Sequence, residues 1–125
     1  PRTMNRIKDL NLLKKIEDLP NIVLSGPLGY FDFMNIQKNA RLVVTDSGGI
    51  QEESTYFGVQ CLTVRENTER PITITEGTNT LIGNTIDNIS SEIANIIESP
   101  KKKSAIKYWD GHSGYRISKI IENII

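Results

Sequence analysis

Ser47, Gly48 and Gly49 follow the apolar run Leu42-Val43-Val44, and Glu53 comes four residues after Gly49. The run reads as a strand ending near Thr45, and Gly48 to Phe57 as a helix. Ser47 is then the helix N-cap, where its hydroxyl can accept from an orphan backbone N–H. Gly48 and Gly49 carry no Cβ, so a ligand can come close to the backbone. Their amides and the helix dipole suit an anion such as phosphate. Glu53 shares the helix face of Gly49, about 6 Å further along the axis. A carboxylate there repels phosphate but accepts hydrogen bonds from sugar hydroxyls. A nucleoside diphosphate with its ribose turned along the helix meets both demands. The pattern is neither a Walker loop nor GxGxxG. A capped helix with glycines for tight strand–helix packing accounts for these residues equally well, and the sequence leaves the two readings level.

Two further clusters fall at the ends of neighbouring apolar runs. Arg65 to Pro71, RENTERP, places two arginines and two glutamates in one loop after Gln60–Val64. It is either a surface ion-pair loop, worth little, or the source of an Arg facing a diphosphate or a developing leaving group. Gly29 to Phe33, GYFDF, closes the loop after Ile22-Val23-Leu24. Phe33 can stack on a base or serve as a core aromatic.

The elements that must position these clusters alternate. Helical spacing marks Thr3–Asp18, Tyr30–Ala40, Gly48–Phe57, Ile86–Glu98 and Ser113–Ile125, with a short turn over Ile72–Glu76. Strand-like runs lie at Asn21–Ser25, Arg41–Thr45, Gln60–Val64 and Asn79–Ile82. Gly58 suits a helix C′ position. This order predicts an α/β fold, a parallel sheet with helices on both faces. Ligands of such sheets bind beyond the carboxyl ends of the strands.

Composition narrows the function. The 125 residues suit one domain, and 15 basic residues balance 15 acidic ones, which argues against a nucleic-acid binder. The run Lys101-Lys102-Lys103 reads as a solvated turn. The single cysteine, Cys61, excludes an internal disulfide and reads as a small core residue. Nothing resembles a signal peptide or a membrane span, so the expected compartment is the cytoplasm. The chain begins at Pro1 and ends within an apolar helical run, as expected of a fragment.

VTDSGGIQEE, CLTVRENTERP and EGTNTLIG together resemble the non-hydrolysing UDP-N-acetylglucosamine 2-epimerase family, over essentially the whole chain. PRT at the start is similar to that family's HPRT segment, and YWDGHSGYRI (Tyr108 to Ile117) to its WDG…RI element. The related hydrolysing epimerases carry the same motif pair. The resemblance implies a glycosyltransferase-B type fold with the active site between two Rossmann-like domains. Residues 1–125 would be the later part of the second, UDP-binding domain, without the first domain or the opening of the second. It implies conversion of UDP-GlcNAc to UDP-ManNAc by elimination of UDP to a 2-acetamidoglucal and re-addition on the other face, with no cofactor or metal.

Carried over residue by residue, Ser47, Gly48 and Gly49 would hold the diphosphate and Glu53 the ribose hydroxyls. Phe33 would pack on the uracil. Arg70 would stabilise the departing UDP, with Glu69 orienting the site. The acid/base carboxylates would belong to the first domain, so this segment alone is expected to be inactive. The intact protein is expected to be a homodimer. His112 falls where the family motif requires no histidine and reads as a surface turn. The final helix would reach the absent domain, leaving Ile121, Ile124 and Ile125 uncovered. The competing functions are a non-catalytic nucleotide-sugar binding module, a hydrolysing epimerase and a glycosyltransferase domain. The SGGIQEE and TERP pair argues against the last.

Overall fold

The computed structural model describes residues 2–83, 86–100 and 104–124. It divides into two units, Pro1–Met34 and Asn35–Ile125, with the division falling inside helix α3.

The first unit holds α1 (Arg2–Asp9), α2 (Leu13–Glu17) and the start of α3 (Tyr30–Asn39). The single helix expected over Thr3–Asp18 is two helices. Asn11 takes the left-handed conformation, φ 54°. Its N–H donates to the Lys8 carbonyl and the Leu12 N–H to the Ile7 carbonyl, both at 2.9 Å. This is a Schellman ending with Asn in place of Gly, which periodicity does not register. The strand expected over Asn21–Ser25 is not formed, and this segment is irregular. Val23 is 89% exposed. A strand is held by a neighbour's ladder and by burial of one face, and Ile22-Val23-Leu24 has neither here. A cleft of about 560 Å³ runs between these residues and Met4, Leu13 and Ile16. None of the candidate site residues lines it.

The second unit is built on a parallel sheet of β1 (Leu42–Thr45), β2 (Gln60–Thr63) and β3 (Asn79–Leu81), in that order. Val43 pairs with Cys61, and Cys61 with Asn79. Helix α4 (Gly48–Phe57) links β1 to β2, and α5 (Ile72–Thr75) links β2 to β3. Both helices pack against the sheet. On β2, Cys61 and Thr63 point to one face and Leu62 to the other, because side chains alternate. All three are 0% exposed, so both faces of the central strand are covered, as expected of a buried parallel sheet. Helix α6 (Ile89–Glu98) lies beside β1, where the Arg41 guanidinium donates to the Ile97 carbonyl. A 3₁₀ turn, Ile86–Asn88, precedes α6.

Polar residues are buried on both faces of this sheet, Gln60 on one and Thr63 and Asn79 on the other. The face under α4 and α5 is polar: Gln51, Thr63, Thr73 and Asn79 are all 0% exposed. Most of their polar atoms satisfy one another, with Gln51 bonded through its Oε1 while its Nε2 has no partner among the described residues. The Thr63 hydroxyl donates to Asn79 Oδ1 at 2.7 Å. Gly77 makes this close packing possible. A Cβ there would sit 2.4 Å from the Thr73 carbonyl oxygen and 2.6 Å from Thr55 Cγ2. Cys61 is buried among these groups, and desolvation pushes its thiol pKa up, as expected of a structural cysteine.

Helix α7 (Ser113–Glu122) closes the described chain. Ile117, Ile120, Ile121 and Ile124 are 49–76% exposed, while Ile125 lies outside the described residues. The run Lys101-Lys102-Lys103 lies outside them as well. Among the described residues, no helix is long and apolar enough to cross a membrane.

Asp110 organises the start of α7. Its Oδ1 accepts from the His112 N–H and from Arg116 Nη1, both at 3.0 Å, and Arg116 lies 4.8 Å from the Tyr108 ring centre. Exposed His112 contributes its backbone, consistent with a turn. The Arg116 hydrogen bond first, and the His112 N–H second, hold the Asp110 carboxyl down to about 2 from an ordinary 3.8. A depressed folded value means that the interaction stabilises the fold above the unfolded pKa and is lost as pH falls toward 2. NMR titration is expected to place Asp110 near 2, and to move it up toward the ordinary carboxylate value in Arg116→Ala, where the His112 N–H alone remains. An Asp110 midpoint unmoved by that substitution would contradict the assignment.

Candidate functional site

The site is built on the first turns of α4. Ser47 has φ −87° and ψ 129°, an extended N-cap backbone. Its N–H donates to Thr45 Oγ1 at 3.0 Å. The expected cap bond from the Ser47 hydroxyl is not made, and Ser47 is exposed at the head of the helix.

Gly48 and Gly49 separate the two readings that the sequence left level. A Cβ on either glycine would meet nothing within 4 Å. Neither has a positive φ. Packing of strand on helix therefore does not require glycine here, in contrast to Gly77. What the two glycines provide is uncovered backbone at the positive end of a ten-residue helix, the arrangement that accepts an anion.

The carboxylates one turn on face different neighbours. Glu52 Oε1 lies 2.9 Å from Arg70 Nε, so the RENTERP loop comes against α4. Glu53 faces buried Gln37 of α3. In the amide orientation that satisfies both ends, Gln37 donates to Glu53 Oε2 at 3.2 Å and accepts from the Ser54 N–H at 3.1 Å. Glu53 is thus held by one neutral donor, while Glu52 is the carboxylate beside the cation.

Arg70 is anchored by its backbone more than by its charge. Its ion pair with Glu52 is 41% and 42% exposed on the two sides, and such a pair is worth little. The 2.9 Å separation is an ion-pair contact and not a directed hydrogen bond, since the Nε–H points at no acceptor. Nη1 donates to the Glu69 carbonyl at 3.2 Å. Guanidinium donors remain for a ligand, and Arg is suited to bidentate phosphate contacts. Glu69 is exposed. Phe33 belongs to the first unit, in the first turn of α3, and is 37% exposed.

Sequence reasoning missed Glu52 as the partner of Arg70, having considered the nearby Glu66 and Glu69. It also missed Gln51 and Thr68. The Thr68 hydroxyl donates to Gln51 Oε1 at 2.6 Å, joining the loop to the helix. The signal was a Thr two residues before the Arg, the spacing of a local hydroxyl-to-backbone turn. Among the described residues, no group of three His, Cys, Asp or Glu could hold a metal ion.

A family model described as UDP-N-acetylglucosamine 2-epimerase matches residues 1–122. The UDP-N-acetylglucosamine 2-epimerase of Methanocaldococcus jannaschii is 39% identical over 97% of this chain and 33% of its own length. That of Methanococcus maripaludis is 39% identical over 100% of this chain and 33% of its own. The chain thus spans about a third of the length of the curated relatives it matches. Among solved structures, UDP-GlcNAc 2-epimerase from M. jannaschii superposes with a TM-score of 0.85 at 37% identity, over 98% of this chain and 34% of that one. The Neisseria meningitidis UDP-GlcNAc 2-epimerase bound to UDP-GlcNAc gives 0.76 at 30% identity, over 98% and 34%. The parallel sheet with its helices is therefore the α/β architecture of these glycosyltransferase-B type neighbours.

Proposed function

This chain belongs to the UDP-N-acetylglucosamine 2-epimerase family, and on that premise we propose that it is the UDP-binding part of an enzyme interconverting UDP-GlcNAc and UDP-ManNAc. Ser47, Gly48 and Gly49 hold the diphosphate, and Glu53 accepts from the ribose hydroxyls. Phe33 packs on the uracil. Arg70 meets the diphosphate as UDP departs. The observation that carries this reading is the open backbone at Gly48 and Gly49, where no packing demand among the described residues explains two glycines.

In the forward reaction the C2 proton is removed and the C1–oxygen bond breaks, releasing UDP and a 2-acetamidoglucal. UDP then adds back to C1 while a proton returns to C2 on the opposite face. This segment serves the leaving group: helix amides and a guanidinium stabilise negative charge that grows as the bond breaks. The acid/base carboxylates belong to a preceding domain of the same fold, and the active enzyme is a cytoplasmic homodimer that supplies UDP-ManNAc for polysaccharide biosynthesis.

The test is to incubate the full-length protein with UDP-GlcNAc and follow the products by NMR. UDP-ManNAc accumulating to an equilibrium mixture is the expected result. Free ManNAc with stoichiometric UDP would identify a hydrolysing epimerase instead. Tight UDP-GlcNAc binding with no product would leave a binding module.

A further inference from the structure

A closed ring of hydrogen bonds holds the backbone of Arg70. The Arg70 N–H donates to Thr68 Oγ1 at 3.0 Å, and the Thr68 hydroxyl donates to Gln51 Oε1 at 2.6 Å. Asn79 Nδ2 donates to the same Gln51 oxygen and to Thr73 Oγ1, each at 3.2 Å. The Thr73 hydroxyl closes the ring on the Arg70 carbonyl at 2.7 Å. Gln51, Thr73 and Asn79 are fully buried. Both backbone groups of one loop residue are therefore fixed by hydroxyls that share one buried anchor. That anchor joins α4, the start of α5 and β3.

Two devices could place the Arg70 side chain, the ring and the Glu52 ion pair. The ion pair is solvent-exposed and makes no directed hydrogen bond at Nε, so it fixes little. The ring is buried at Gln51, Thr73 and Asn79 and part-buried at Thr68 and Arg70, and its buried hydrogen bonds are costly to leave half made. Gln51 also fixes the register of the loop against the helix. It lies four residues after Ser47, so the strut that holds Arg70 springs from the same two turns that carry the Ser47 to Gly49 amides. The Arg70 backbone and the helix amides are thereby held at one relative position before any ligand arrives.

We propose that Thr68 is a positioning residue for Arg70: its hydroxyl, through Gln51, sets the guanidinium against the departing diphosphate. This rests on the reading of Arg70 as the group that meets UDP. Thr68 itself need not touch the ligand. Its effect passes through Arg70 and falls on turnover, because a displaced cation loses most where charge is developing.

The experiment is a double-mutant cycle on the full-length protein, with kcat, KM, UDP affinity and the thermal midpoint measured for each variant. Thr68→Val should lower kcat by about tenfold while KM and UDP affinity stay within about twofold. Thr68→Ser, which keeps the hydroxyl, should retain kcat within about twofold. In an Arg70→Ala background, Thr68→Val should change kcat by less than about twofold, since the group it positions is gone. If Thr68→Val does not fold, Thr73→Val breaks the ring at the carbonyl end and should show the same dependence on Arg70. Equal loss of kcat with and without Arg70, or a Thr68→Ser variant as impaired as Thr68→Val, would overturn the proposal. An unchanged kcat for Arg70→Ala alone would instead remove the underlying reading, and the positioning role with it.

Discussion

Gly49→Val is expected to leave the full-length protein folded and to weaken UDP binding by about two orders of magnitude. Hydrogen bonds to a charged group are worth roughly 1.5–3 kcal/mol each, and about 2.7 kcal/mol is a hundredfold in affinity. The side chain has room among the described residues, where a Cβ at Gly49 meets nothing within 4 Å. It has no room if a phosphate occupies that space. The contrast is sharper for Gly49→Ala. Alanine in place of glycine favours a helix by up to about 1 kcal/mol, so the thermal midpoint should rise or hold while UDP affinity falls. Calorimetry with UDP and thermal unfolding on the same samples read both quantities. A variant that loses stability and keeps its affinity would show that the glycines serve packing after all.

Arg70→Ala is expected to lower turnover by roughly 10²–10³, the cost of removing one preorganised donor from a developing negative charge. Ground-state affinity for UDP-GlcNAc should change much less. Charge on the diphosphate increases as the C1–oxygen bond breaks, and a fixed cation stabilises the later state more. The ion pair with Glu52 does not provide a competing structural explanation of such a loss, since an exposed pair contributes little to folding. Steady-state kinetics with UDP-GlcNAc separate the two parameters. A stable Arg70→Ala variant with unchanged kcat would confine Arg70 to a surface contact.

Much of the second unit was legible because its signals are local. Both ends of α4 could be read: Ser47 adopts the N-cap backbone, and Gly58 takes φ 67° at the C′ position. The three strands fall within a residue of their apolar runs. The first unit shows where local signals fail. Ile22-Val23-Leu24 has the composition of a strand, but composition does not supply the neighbouring ladder. Asn11 can end a helix in the left-handed region, yet the apolar spacing across it runs on unbroken.

The polar anchor under α4 was illegible for a different reason. Gln51, Thr68, Thr73 and Asn79 each look like surface residues, and burial of any one alone would be costly. Their partners lie up to 28 residues apart in the chain. Only the crossing of α4, β3 and the RENTERP loop brings them together. The same folding distance concealed the Glu52 partner of Arg70, because sequence proximity pointed to Glu66 and Glu69. At the candidate site the sequence identified the residue types, and the structure decided what the two glycines are not needed for.

The most direct measurement is a crystal structure of the full-length protein with UDP. The diphosphate should lie at the head of α4, its oxygens accepting from the Gly48 and Gly49 N–H groups and from the Arg70 guanidinium, with the ribose hydroxyls on Glu53. UDP bound elsewhere, with only water over Gly48 and Gly49, would contradict the account.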